Sequence, residues 1–168
     1  NDASGIYNYS LTDIRGSWVD YSGEYSFDYL GENENIYVNT DELTFASLSG
    51  LGFSDVAISG DIDISRVSTE TENTSEPKKI KVGFVFGART YEVSNISNGF
   101  AVYYQSDGKV ILESSGEILA ESKEILSQNK ISLLVVVKNG ICEVYTNDST
   151  NPIIECKLDN VNGGVVGL

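Results

Sequence analysis

The stretch Asp55-Val56-Ala57-Ile58-Ser59-Gly60-Asp61-Ile62-Asp63-Ile64-Ser65 alternates with a strict period of two. Val56, Ile58, Ile62 and Ile64 fall on one side of an extended chain. Asp55, Ala57, Ser59, Asp61 and Asp63 fall on the other. Successive side chains of a strand point to opposite faces, so this pattern marks a strand with one buried face and one wet face. A second segment reinforces it. The apolar runs Ile131–Lys138 and Ile141–Thr146 flank Asn139-Gly140, a strong short hairpin signal because both residues tolerate positive φ. A two-residue turn sets Lys138 opposite Ile141 and Val137 opposite Cys142.

Outward from these segments, short strand candidates follow one another between clusters of Gly, Asn, Asp and Ser. Before and after Asp55–Ser65 they are Ser17–Tyr21, Ile36–Asn39, Leu43–Leu48, Lys79–Ala88, Gly99–Gln105 and Lys109–Glu113. Towards the end come Ile118–Glu121, Ile131–Lys138, Ile141–Thr146, Ile153–Leu158 and Val165–Leu168. Regular short strands with turn signals between them predict an all-β sandwich or barrel. A single short helical turn is expected only near Ser122–Gln128. The polar stretch Arg66–Lys78 reads as a long exposed loop. Residues 1–15 read as a partly disordered leader and 16–168 as a single β-sandwich domain, a length sufficient for a two-layer core without staples.

Charge narrows the partners. Asp and Glu number 25 against 11 Lys and Arg, for a formal net charge of −14. Phosphate backbones and anionic membranes repel such a surface, so no nucleic acid is expected as a partner. No apolar run approaches the roughly 20 residues of a membrane span, so no insertion is expected either. The chain has no histidine, which removes His-dependent triads and imidazole bases. A neutral glycan or a divalent cation is not penalised by the acidic surface. Loop oxygens at Glu32–Asn35, Asn147-Asp148 and Asp159-Asn160 are candidates for a structural calcium, although none has the ligand spacing of a known loop motif. Cys142 and Cys156 fall almost opposite each other if the intervening hairpin is centred near Ser149. They read either as a cross-strand disulfide or as two buried thiols.

Asp61 and Asp63 share a strand face, as two acids flanking a sugar bond would, but a solvated polar face explains their spacing better. Trp18, Tyr91 and Tyr104 are candidates to stack on the C–H face of a sugar ring. Arg89 lies just past a buried strand and offers a fork of donors for neighbouring hydroxyls. Tyr103 and Tyr104 are adjacent, so one points inward and the other outward.

The order of the pieces resembles the concanavalin A-like, jelly-roll sandwiches of non-catalytic modules attached to glycoside hydrolases. The likeness is nearest to fructan-binding modules and the accessory sandwiches of bacterial β-fructosidases, over roughly Gly16 to Leu168. It rests on Gly16-Ser17-Trp18, on Phe53-Ser54-Asp55-Val56 leading into Asp61-Ile62-Asp63-Ile64, and on Val82-Gly83-Phe84-Val85-Phe86. It continues through Asn98-Gly99-Phe100-Ala101-Val102, Asn139-Gly140-Ile141-Cys142-Glu143-Val144-Tyr145, Pro152-Ile153-Ile154 and Gly164-Val165-Val166-Gly167-Leu168. Such modules often carry arginine directly after the third of these pieces, where this chain has Gly87 and its nearest arginine is Arg89.

The resemblance implies a lectin-like, non-catalytic module of a secreted or cell-surface bacterial protein, attached to a catalytic module and binding a polysaccharide or oligosaccharide. A shallow site would be built from Arg89, Tyr91, Tyr104, Trp18 and Asp61. The alternative is an adhesive or structural spacer of the same fold without a sugar site, and the third reading is a glycosidase.

Overall fold

The computed structural model describes residues 18–20, 24–28, 35–39, 46–48, 54–65, 79–88, 99–161 and 163–168. The expected leader and the 66–78 loop lie outside these residues. Among the described residues there are strands and turns and no helix. The first strands are β1 (Trp18–Asp20), β2 (Glu24–Asp28), β3 (Asn35–Asn39), β4 (Ala46–Leu48), β5 (Val56–Asp63) and β6 (Lys81–Ala88). They are followed by β7 (Phe100–Gln105), β8 (Val110–Ser114), β9 (Glu117–Glu121) and β10 (Lys130–Lys138). The last are β11 (Ile141–Thr146), β12 (Ile154–Lys157) and β13 (Val165–Gly167).

Seven strands form one antiparallel sheet in the order β1-β4-β13-β6-β7-β8-β9, and four form another in the order β12-β11-β10-β5. A separate hairpin pairs β2 with β3. This is the two-sheet antiparallel sandwich that the alternation predicts. β2 falls where the sequence offered no strand candidate.

Local chemistry explains the register of the smaller sheet. Asn139 and Gly140 adopt φ of 50° and 73°, and the turn sets Val137 opposite Cys142 and Lys138 opposite Ile141. β5 joins the other side of β10, with Ile62 opposite Ile131 and Ile58 opposite Val135. The inward residues of β10, Ile131, Leu133, Val135 and Val137, are each at most 1 % exposed. Facing them from the larger sheet are Phe84, Phe86, Phe100, Val102, Tyr104 and Leu112, in one continuous core. Burying a large apolar side chain contributes about 1.5–3 kcal/mol, so this interdigitated layer is the main source of stability.

Glycine lets β6 and β13 approach one another. Gly87 takes φ of +67°, and a Cβ on Gly164 would lie 2.4 Å from the Gly87 carbonyl carbon. An arginine at position 87, as in the resembling modules, would be strained by that positive φ.

The segment Ser122–Gln128 carries no helical turn. It forms a bend held to the turn between β7 and β8 by Leu126 N–H donating to the Gly108 carbonyl at 2.8 Å, and braced within itself by Ser122 Oγ donating to the Glu124 carbonyl at 2.8 Å. Satisfying these groups through the neighbouring turn removes the incentive for an isolated helical turn, which costs more order than it returns.

Candidate functional site

The two sheets present different outer faces. On the smaller sheet the outward positions Ala57, Ser59, Asp61, Ser132, Leu134 and Lys138 are exposed. Asp61 accepts a hydrogen bond from Ser132 Oγ at 2.7 Å and pairs with Lys130 at 3.4 Å. The hydrogen bond from the Ser132 hydroxyl is the largest influence; burial opposes it, and with the Lys130 ammonium added the carboxyl is held below the ordinary Asp range. Asp61 thus ties β5 to β10 across the strand pair.

On the larger sheet the outward positions are largely covered. Val85, Tyr103, Gln105 and Ile111 are each at most 7 % exposed. Val85, Ala88 and Val165 form a small second core on this side, packed with Ala101. Beside it lies a polar group spread over β6, β7 and β8. Gly83, Tyr103, Ile111 and Glu121 stand in one row across four strands. Tyr103 donates its hydroxyl to Glu113 Oε2 at 2.6 Å, and the Lys81 ammonium sits 4.6 Å from the centre of its ring. Lys81 also pairs with Glu113 at 3.6 Å. A cation over an aromatic face and a charged acceptor on its hydroxyl are both favourable arrangements, and together they fix the ring.

Two further pairs extend this group. Lys79 meets Asp107 at 2.9 Å, and Gln105 Nε2 donates to the same Asp107 oxygen at 2.7 Å. Lys109 meets Glu121 at 3.4 Å and donates to the Ser122 carbonyl at 2.9 Å. Burial opposes ionisation of Asp107, yet Lys79, the Lys109 N–H and Gln105 together hold its carboxyl below the ordinary range. Burial, then the hydrogen bond to Glu113, push the Tyr103 phenol well up. At neutral pH it is therefore a donor and not a base. The arrangement offers fixed donors and acceptors to a hydroxyl-rich ligand. A glycosidase needs a general acid whose pKa is raised, and Asp61 and Asp107 both move the other way.

The residues expected from sequence scatter over this frame. Arg89 and Tyr91 lie outside the described residues; Arg89 directly follows β6. Trp18 lies on β1, opposite Leu48 of β4, three strand positions from β6. The register places it at the Ala88 end of the larger sheet, roughly 14 Å from β6 at the usual strand spacing. Tyr104 corrects an expectation. It is 2 % exposed and part of the main core, with its hydroxyl donating to the Leu126 and Gln128 carbonyls. A ring enclosed in this way cannot stack on a sugar. Asp61 stands on the outer face of the opposite sheet, separated from Tyr104 by the inner layer.

Lys79, Lys81, Gln105, Asp107 and Glu113 were not singled out by sequence, and Tyr103 only as one of many tyrosines. Parity along Phe100–Gln105 was the available signal, because the inward Phe100 and Val102 force Tyr104 in and Tyr103 out. The loop oxygens considered for calcium are otherwise engaged at Asn147, which accepts from Ser132 N–H at 3.1 Å and donates to Gln128 Oε1 at 2.8 Å. Among the described residues, no three acidic or cysteine side chains assemble around a common metal position.

No known family profile matches the chain, and no curated protein matches it in sequence. In three dimensions it is similar to a carbohydrate binding module, CBM66, from Bacillus subtilis, with a TM-score of 0.68 and 17 % identity. The match covers 90 % of this chain and 85 % of that one. At this identity the likeness describes the fold, and the fold is that of a β-sandwich module.

Proposed function

We propose that the chain is a non-catalytic carbohydrate-binding module of a secreted or cell-surface bacterial glycoside hydrolase, and that it holds a neutral polysaccharide at the Lys81 end of the larger sheet's outer face, where the Lys79, Lys81 and Asp107 side chains stay exposed. The observation that carries this reading is the polar group built around Tyr103 on that face, in a fold shared with a carbohydrate binding module over most of both chains. A sugar hydroxyl both donates and accepts, and here ammonium, amide and carboxylate groups stand fixed side by side. The net charge of −14 favours a neutral glycan over an anionic one. A sugar docking on this group would meet the Lys81 ammonium and the Glu113 carboxylate, the parts of it that stay accessible. Fructan is the first ligand to test, because the sequence resembles fructan-binding modules.

Shallow sites of this kind bind at roughly micromolar to millimolar levels, and attachment to an enzyme or to further modules multiplies their effect. The test is a glycan array with levan, inulin, xylan and β-glucans, with and without calcium, followed by titration of the best ligand against Lys81→Ala, Glu113→Gln and Arg89→Ala. Loss of affinity in the first two variants places the sugar on the Tyr103 group, and loss in the third places it at the Ala88 end.

A structural spacer is the second reading. It is favoured by the mutual pairing of Lys79 with Asp107, Lys81 with Glu113 and Lys109 with Glu121, which leaves each of these charges satisfied without a ligand. Failure to bind any glycan on the array would select it.

A further inference from the structure

Cys142 and Cys156 are the two cysteines of the chain, and both are free thiols in this structure. They are direct register partners on β11 and β12. Opposite residues of an antiparallel pair project to the same face, with Cα atoms about 4.5 or 5.5 Å apart depending on the hydrogen-bonding position. Both values lie within the range that a disulfide spans. Cys142 belongs to the main core and is 0 % exposed; Cys156 packs against the same core but is only half-buried. β12 is the edge strand of the smaller sheet, and β11 is its strand neighbour there.

We propose that Cys142 and Cys156 form a disulfide site, which a small disulfide such as oxidised glutathione closes into a single cross-strand bond pinning the edge strand β12 to β11. The step balances as follows. The Cys156 sulfur, the accessible one, attacks glutathione disulfide as its thiolate, forming a mixed disulfide and releasing one glutathione thiolate. The Cys142 sulfur then attacks the Cys156 sulfur, the mixed bond breaks, and the second glutathione leaves. The two protein thiols give up two electrons to the glutathione disulfide, and their protons pass to solvent or to the departing glutathiones. Burial, then the neighbouring Cys156 and Glu143, push the Cys142 thiol up to about 12, which makes it a poor first nucleophile and leaves the opening attack to Cys156; in the second step Cys142 gives its proton to solvent as its sulfur attacks.

The reduced full chain is incubated with oxidised glutathione and followed by intact mass, peptide mapping and thermal melting. The expected product has lost two hydrogens, yields Cys142 joined to Cys156 on mapping, and melts about 5–10 °C higher, as closing a loop of roughly 15 residues implies. Dithiothreitol reverses the shift, and Cys156→Ala, a change at the half-buried member of the pair, shows none. Iodoacetamide labels Cys156 but not Cys142 in the reduced chain. A glutathione adduct that persists on Cys156 beside a free Cys142, or two thiols left unmodified, overturns the proposal. A closed bond that lowers the melting midpoint overturns the pinning of β12.

Discussion

The outer faces of the two sheets are built on the same strand geometry but differ in their surroundings. Along β10 burial alternates almost residue by residue, with Ser132 and Leu134 exposed between fully buried neighbours. Along β6 and β7 it does not: from Phe84 to Ala88 every residue is buried, and Ala101 alone in β7 is only partly so. A strand wet on one face advertises itself by period two, whereas a strand covered on both faces reads as a continuous apolar run. Charged groups placed on a partly covered face must find partners, because desolvating an unpaired charge costs far more than pairing it. The ion pairs around Tyr103 follow from that requirement.

The largest expected effect tests how closely β6 approaches β7. A Cβ on Gly83 would lie 2.0 Å from the Val102 carbonyl oxygen and 2.5 Å from the Tyr103 Cα, backbone atoms that cannot swing aside. Gly83→Val should therefore cost about 4 kcal/mol or more in urea unfolding and could abolish cooperative folding. By contrast, Gly60→Ala on β5 meets the Phe84 ring at 3.3 Å and should cost about 1 kcal/mol, because a side chain can yield.

A paired substitution tests the contrast between the faces directly. Val85→Asp buries a carboxylate at a position 6 % exposed and should destabilise by about 3 kcal/mol or more, whereas Ala57→Asp on the open face should stay within about 0.5 kcal/mol. Equal costs would erase the distinction. For function, Lys81→Ala and Glu113→Gln should each weaken glycan binding about tenfold, roughly 1.4 kcal/mol, and Leu134→Ala on the open face should leave it unchanged. The reverse pattern would move the site to the smaller sheet. Tyr103→Phe removes a hydroxyl bonded to a carboxylate and should cost about 1 kcal/mol by thermal or chemical unfolding.

The smallest effect belongs to Asp61, an exposed tie whose removal in Asp61→Asn should change stability at neutral pH by less than about 0.5 kcal/mol. Its folded pKa lies below its ordinary value of 3.8, so its contribution is present above that value and fades as pH falls through the folded one. Melting curves at neutral and strongly acidic pH should show Asp61→Asn losing slightly less on acidification than the parent chain.

Much of this was legible in the residues. The alternation of Asp55–Ser65 gave that strand's inward face, and the Asn139-Gly140 turn gave the register of one hairpin, because both are local properties of backbone and side-chain spacing. Tyr104 was misplaced as a sugar-stacking ring. Parity with the inward Phe100 and Val102 places its ring inside; only its hydroxyl's partners, the Leu126 and Gln128 carbonyls more than twenty residues on, depend on the fold. The helical turn expected near Ser122–Gln128 failed because a distant turn satisfies that backbone.

What the sequence determined by itself is therefore a chain of short strands with defined inward faces, an acidic surface that disfavours nucleic acid, and the register of the Asn139-Gly140 hairpin; that Cys142 and Cys156 are direct partners came from the fold. Only the tertiary structure decided which outer face is covered, and that Lys81, Tyr103 and Glu113 meet on it. Period and turn chemistry act over a few residues, while burial of an outer face depends on segments far along the chain.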